Sequence, residues 1–153
     1  MIDNSVYLAG FISTEYPESI EWRLRVAPIL EAAGFVVLTP MKGKQKLNEE
    51  TKDGGITTTI TTSKSIILRD RMDVRNAKVI LAHLENFGSP RPLLGTISEL
   101  AWAWDQRTPV IGIAKAENYL MRQHPFLIEF ISHYEETEDA AIAFLKRYYG
   151  PKP

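Results

Sequence analysis

VILAHLENFGSPRPLLGTISELAWAWDQRTPVIGI, residues 79–113, holds two short apolar runs, Val79-Ile80-Leu81-Ala82 and Val110-Ile111-Gly112-Ile113, on either side of a segment of helical period. Short runs of β-prone apolar residues bounded by turn residues read as buried strands, and the helix expected over 96–106 makes the unit strand, helix, strand. That connection is right-handed and sets the two strands parallel, with the helix covering one face of the sheet.

The alternation continues on both sides. Val6-Tyr7-Leu8-Ala9, ended by Gly10, is a first strand, and 20–33 is a helix that spaces Trp22, Val26, Ile29 and Leu30 at helical intervals. Pro28 inside it predicts a kink or a helix in two pieces, because proline lacks the N–H and crowds the preceding turn. Gly34 reads as the helix stop, Phe35-Val36-Val37-Leu38 as a buried strand closed by Thr39-Pro40, and 65–76 as a helix. A fifth strand is expected over 130–134, and Thr137 caps a last helix running to about 149. The sum is an α/β fold: a Rossmann-like (flavodoxin-like) three-layer sandwich with a roughly five-stranded parallel sheet, in a single domain over 1–153. Between 41 and 64 the pattern fails. Lysines, glycines and six threonines make that stretch too polar to pack, so a flexible loop is expected there, either a lid or binding loop or a surface excursion.

Composition narrows the class. A length of 153 residues with 44% apolar residues suffices for one core without disulfides or a structural metal. There is no cysteine, which removes thiol catalysis, iron-sulfur clusters and zinc-thiolate sites and suits a reducing compartment. With 18 basic against 19 acidic residues, a nucleic acid polymer is a poor partner and a small molecule a better one. The first residues carry no basic, apolar leader, and no apolar run approaches the ~18 residues that span a bilayer. A cytoplasmic chain with no membrane partner is expected. His83, His124 and His133 show no ligand spacing, so no metal site is expected.

In an open parallel sheet, ligands bind beyond the carboxyl ends of the strands, which directs attention to Gly10-Phe11, to the turn after Leu38, to 85–99 and to 115–121. Glu99 stands out. A helix opening at Gly95-Thr96 places this carboxylate in the first turn, where the helix dipole favours its ionised form and an ionised carboxylate is a potential nucleophile. Thr96-x-x-Glu99 is also a capping box, a purely structural use of the same residues. Asp70 and Asp73 are three apart on one helix among Arg69 and Arg71, so they are candidate site carboxylates or a solvated charge cluster. Tyr7 is either a functional hydroxyl or a core tyrosine. No full G-x-G-x-x-G and no P-loop is present.

Val6-Tyr7-Leu8-Ala9-Gly10, Ile67-Leu68-Arg69-Asp70 with Val74-Arg75-Asn76-Ala77-Lys78-Val79-Ile80, and Gly95-Thr96-Ile97-Ser98-Glu99-Leu100-Ala101 occur in that order. Taken together they resemble the nucleoside 2-deoxyribosyltransferase family. The resemblance implies that Glu99 is the nucleophile, that the Tyr7 hydroxyl holds it, and that Asp70 assists the departing base or holds the sugar, with Asp73 a companion. It further implies substrate contacts from Gly10, Phe11, Gly95 and Met121, with Met121 reaching the sugar, sometimes across a subunit boundary. No metal and no organic cofactor is implied. The expected partners are nucleosides or nucleotides, free nucleobases and a second copy of the chain in a homo-oligomer. Trp102, Trp104, Phe126 and Tyr148 give more aromatic surface than one small core needs, which agrees with that assembly.

One position departs from the pattern. Leu93 stands where transferases of the family carry an aspartate and where relatives that hydrolyse nucleoside 5′-monophosphates carry a serine. Base or phosphate recognition is then expected from Ser89 and Arg91, or from Lys42, Lys44 and Lys46. Transfer of 2-deoxyribose between bases leads, N-glycosidase action on 2′-deoxynucleoside 5′-monophosphates is the close alternative, and a nucleotide-sensing module without turnover is a third.

Overall fold

The computed structural model describes residues 1–41 and 62–152. The expected loop at 41–64, with Lys42, Lys44 and Lys46, lies outside the described residues except at its two ends.

Five strands, β1 (Ser5–Gly10), β2 (Val36–Leu38), β3 (Val79–His83), β4 (Val110–Ile113) and β5 (His133–Glu135), form one all-parallel sheet in the order β2-β1-β3-β4-β5. The helices are α1 (Glu18–Ala32), α2 (Ser63–Asn76), α3 (Leu94–Asp105), α4 (Tyr119–Gln123), α5 (Pro125–Phe130) and α6 (Glu138–Tyr149). This is the flavodoxin-like strand order, and it carries the expected three layers.

Alternation along β1 decides which side chain serves which layer. Val6 and Leu8 pack with Trp22, Val26 and Leu30 of α1 and with Ala141, Ile142 and Leu145 of α6. Tyr7 and Ala9 face the opposite layer, with Val74 of α2 and Leu100 and Ala103 of α3. Every residue of β1, β3 and β4 is buried, which is why these runs carry so few polar residues. β2 differs from its reading as a fully buried strand: it is the sheet edge, and Val36 is 45% exposed.

Four local expectations are corrected. Helix α1 runs unbroken through Pro28, which lies on its exposed face, where water can satisfy the carbonyl that proline leaves without a donor. Helix α2 starts at Ser63 rather than 65, because Thr62 and Ser65 form a reciprocal capping box. Phe130 belongs to α5, so β5 begins only at His133; α4 and α5 themselves are started by the side chains of Asn118 and His124. Helix α3 starts at Leu94, two residues before the expected position, with Leu93 at its N-cap and no side-chain cap.

Two boundaries stand as expected. Thr137 caps α6 by accepting the Ala140 N–H at 3.1 Å. Gly34 ends α1 at φ +90°, where Gly34 N–H bonds the Glu31 carbonyl and Phe35 N–H the Leu30 carbonyl. That pairing is a Schellman motif, and it turns the chain straight into β2. Among the described residues no helix is long and apolar enough to cross a membrane.

Candidate active site

The strand order reverses between β1 and β3, whose ends pair Gly10 with His83. From there the chain leaves β1 toward α1 on one face and β3 toward α3 on the other, which opens a crevice at the carboxyl ends. A cleft of about 300 Å³ lies there, and Gly10, Phe11, Asp70, Gly95, Thr96 and Glu99 line it together with Arg91 and Leu93.

Glu99 is 7% exposed, in the second turn of α3. The early start of the helix changes its reading twice: the carboxylate is not a cap, and it lies beyond the first turn, where the dipole acts most strongly. The pair Pro90 and Pro92 with buried Leu93 delivers the chain into the helix before Thr96 is reached. Gly95 then sits in the first turn with open space around its missing side chain, so the backbone itself faces the cleft. Asp70, 8% exposed on α2, faces the cleft from the opposite wall, and Arg69 Nη2 lies 3.3 Å from its Oδ1 while also donating to the Pro40 carbonyl at 3.0 Å.

Tyr7 lies under the cleft and is fully buried. Burial above all, then the negative charges of Glu99 and Asp70, hold its phenol well above the ordinary tyrosine range, with Arg23 acting in the other direction. The group is therefore a neutral O–H beside a carboxylate, and since its oxygen has no hydrogen-bond partner among the described residues it is available as a donor rather than a base.

Gly10 is required by close approach. A Cβ there would lie 3.1 Å from the Trp22 ring and 3.3 Å from both Arg23 Nη2 and the His83 carbonyl oxygen. Arg23 was not singled out by the sequence reading, although a signal existed: Ser19, Trp22, Arg23, Val26 and Leu30 form the buried stripe of α1, and a charged residue in such a stripe needs a partner.

Three expected site residues lie elsewhere. Ser89 is buried in the turn after β3, where its hydroxyl accepts the Arg91 N–H at 3.1 Å and its carbonyl accepts Asn86 Nδ2 at 2.7 Å; both bonds shape the turn. Asp73 is half-buried further along α2 and does not line the cleft. Met121 lines a separate apolar cavity of about 810 Å³, which shares Arg91, Pro92, Leu93 and Leu94 with the cleft as a common wall. The histidines have local partners. His83 lies between Trp22 and Phe87, and burial pushes its pKa down to about 4; His124 starts α5; His133 stacks on Phe144 at 3.9 Å. Among the described residues no three His, Asp or Glu side chains come together as a metal site.

A flavodoxin-like domain with two buried carboxylates and a neutral tyrosine at its switch-point crevice has the build of a small-molecule enzyme. The chain belongs to the nucleoside 2-deoxyribosyltransferase family, whose sequence model matches residues 6–142. Solved structures of similar fold include a conserved protein from Enterococcus faecalis V583, at 14% identity and TM-score 0.69, covering 95% of this chain and 99% of that one. Another is the 2-deoxyribosyltransferase of Leishmania mexicana, at 17% identity and TM-score 0.65, covering 95% and 99%. A third is the Clostridium botulinum CMP N-glycosidase BcmB, at 16% identity and TM-score 0.59, covering 94% and 99%. None of the curated proteins compared matches the sequence.

Proposed function

We propose that the protein transfers 2-deoxyribose between nucleobases through a covalent deoxyribosyl-Glu99 intermediate. The observation that carries this reading is the convergence of Glu99 and Asp70 in one cleft above Tyr7, with Glu99 released from any capping duty by the early start of α3. Glu99 attacks C1′ as the C1′–N bond breaks, the bond electrons leave with the base, and Asp70 protonates or hydrogen-bonds the departing ring nitrogen. The incoming base attacks C1′ from the vacated face, returns its ring N–H proton to Asp70 and displaces the carboxylate. Two inversions retain the anomeric configuration, as in retaining glycosidases. Tyr7 orients the Glu99 carboxylate by donating its hydrogen bond, and Phe11 covers the base.

Hydrolysis of a 5′-monophosphate is the second reading, favoured by Arg91, a half-exposed cation on the cleft wall 3.8 Å from Glu15. Guanidinium groups suit phosphate. Incubation of a 2′-deoxynucleoside with a different free base separates the two. The expected product is the exchanged deoxynucleoside; release of free base and sugar alone, improved by a 5′-phosphate, would replace transfer by hydrolysis.

The reading includes a homo-oligomer that shares its sites. Within one chain Met121 faces the 810 Å³ cavity rather than the cleft, and Leu94, Leu120 and Phe126 around that cavity are 65–72% exposed. Such apolar exposure suits a second copy placed so that its Met121 reaches the sugar. Sedimentation at micromolar concentration is expected to show a dimer or larger, and Phe126→Glu is expected to shift it toward monomer and lower base release together. A wild-type monomer with full activity would end this part of the reading.

A further inference from the structure

We propose that Arg23 is a positioning residue of this centre: its guanidinium fixes the Gly10-Phe11 turn that floors the cleft and supplies a buried positive charge that favours the charged Glu99 carboxylate. The role rests on the deoxyribosyl-transfer reading, in which a charged Glu99 is the reacting group.

The geometry is that of a clamp. Arg23 is 2% exposed, and its described hydrogen bonds all go to backbone carbonyls: Nε to Leu8 at 3.2 Å, Nη2 to Gly10 at 2.8 Å, and Nη1 to Ser19 at 2.8 Å and Phe11 at 3.4 Å. Three of these carbonyls belong to the end of β1 and the first residue beyond it, so one planar fork sets where Gly10 and Phe11 stand in the cleft. The Trp22 ring lies 4.7 Å beneath the guanidinium and closes its other side. Gly10 leaves the room: its Cβ would stand 3.3 Å from Arg23 Nη2.

Burial draws the Arg23 pKa down to about 10, and the attraction of Tyr7, then of Glu99 and Asp70, acts against that fall, so the guanidinium stays protonated at neutral pH. By reciprocity the cation favours the ionised form of Glu99, the group that must carry charge to react. Glu99 is faced by Tyr7 of β1, by Asp70 and its neighbour Arg69 of α2, by Arg91 on the cleft wall, and across the end of β1 by Arg23 of α1. Two carboxylates on one small cleft disfavour each other's charge, so the proton that Asp70 gives the leaving base can reside there, while a cation that water does not screen offsets the cost of charging Glu99.

The test follows the Glu99 carboxyl directly, by carbon-13 NMR of protein labelled at the glutamate side-chain carboxyl carbon, with Glu99→Gln identifying the resonance. In Arg23→Gln, which keeps amide donors and drops the charge, the Glu99 midpoint is expected to rise by about one pH unit. The acid limb of kcat/KM for base release rises with it, so that activity below the limb falls about tenfold. Arg23→Lys, which keeps the charge and loses the fork, is expected to leave the midpoint in place and lower kcat. An unmoved midpoint in a folded Arg23→Gln overturns the electrostatic role, and wild-type kcat in Arg23→Lys overturns the clamp. Should Arg23→Gln not fold, a raised midpoint in Arg23→Lys, where the charge is retained, also overturns the electrostatic role. A shifted midpoint in a protein whose wild type releases no base from any deoxynucleoside leaves Arg23 coupled to Glu99 and removes the transferase reading instead.

Discussion

Glu99→Gln lowers base release from a 2′-deoxynucleoside at least about 10⁴-fold, the scale on which removal of a covalent nucleophile acts and equal to about 5 kcal/mol of transition-state stabilisation. The amide has the shape of the carboxylate, so the cleft keeps its walls, and ligand binding measured by calorimetry is expected to survive. What disappears is the negative charge that makes the carboxylate oxygen a nucleophile toward C1′. Intact-mass spectrometry of the wild type mixed with deoxynucleoside in the absence of acceptor base is expected to show a deoxyribosyl adduct, and Glu99→Gln none. Burial makes the experiment sharp: at 7% exposure, beyond the first turn of α3 and free of capping, Glu99 has no structural duty at the helix start for the substitution to disturb. Undiminished turnover in the variant would remove Glu99 from the mechanism, and retained turnover without any adduct in the wild type would replace covalent transfer by direct attack of water or base.

The layers of this fold were legible because each strand is an apolar run that must be buried on both faces, and the helix between Ala82 and Val110 left one sensible connection. Boundaries were less legible where side chains choose between similar positions. Thr96 reads as the cap of α3 because threonine caps well, yet Pro92 and buried Leu93 begin the helix two residues earlier. The capping box belongs instead to Thr62 and Ser65 at the start of α2, where the polar Thr-rich stretch hid it. Helices α4 and α5 are too short for a period to show, and each depends on one side-chain cap.

At the site, Tyr7, Asp70 and Glu99 come from three segments distant in sequence, so their resemblance to a known pattern, rather than periodicity, brought them together. Ser89 was suggested by its closeness along the chain to Leu93, and Met121 by the resemblance, which allows it to reach the sugar across a subunit boundary. Folding turns the first into a loop brace and places the second across the Leu93-Leu94 wall. Arg23 escaped because its partners are backbone carbonyls of Leu8, Gly10 and Phe11, atoms that every sequence contains and that only the fold gathers.

Asp70→Asn is expected to lower kcat for natural deoxynucleosides about 10²- to 10⁴-fold, the range for losing a positioned proton donor. The loss should depend on the base. A purine or pyrimidine ring that leaves poorly as an anion needs a proton as the C1′–N bond breaks, whereas an N7-methylated purine leaves as a neutral molecule and needs none. The variant should therefore keep most of its rate on 2′-deoxy-7-methylguanosine while failing on 2′-deoxyguanosine, and the Glu99 adduct should still form with the methylated substrate. This pattern distinguishes proton delivery from sugar holding, because a residue that grips the ribose hydroxyls affects both substrates alike. Asparagine preserves volume and one hydrogen bond beside Arg69, whose Nη2 lies 3.3 Å from the Asp70 Oδ1, so the wall of the cleft is not expected to collapse. Equal losses on the two substrates would assign Asp70 to the sugar and leave the departing base to be protonated by another group or by water.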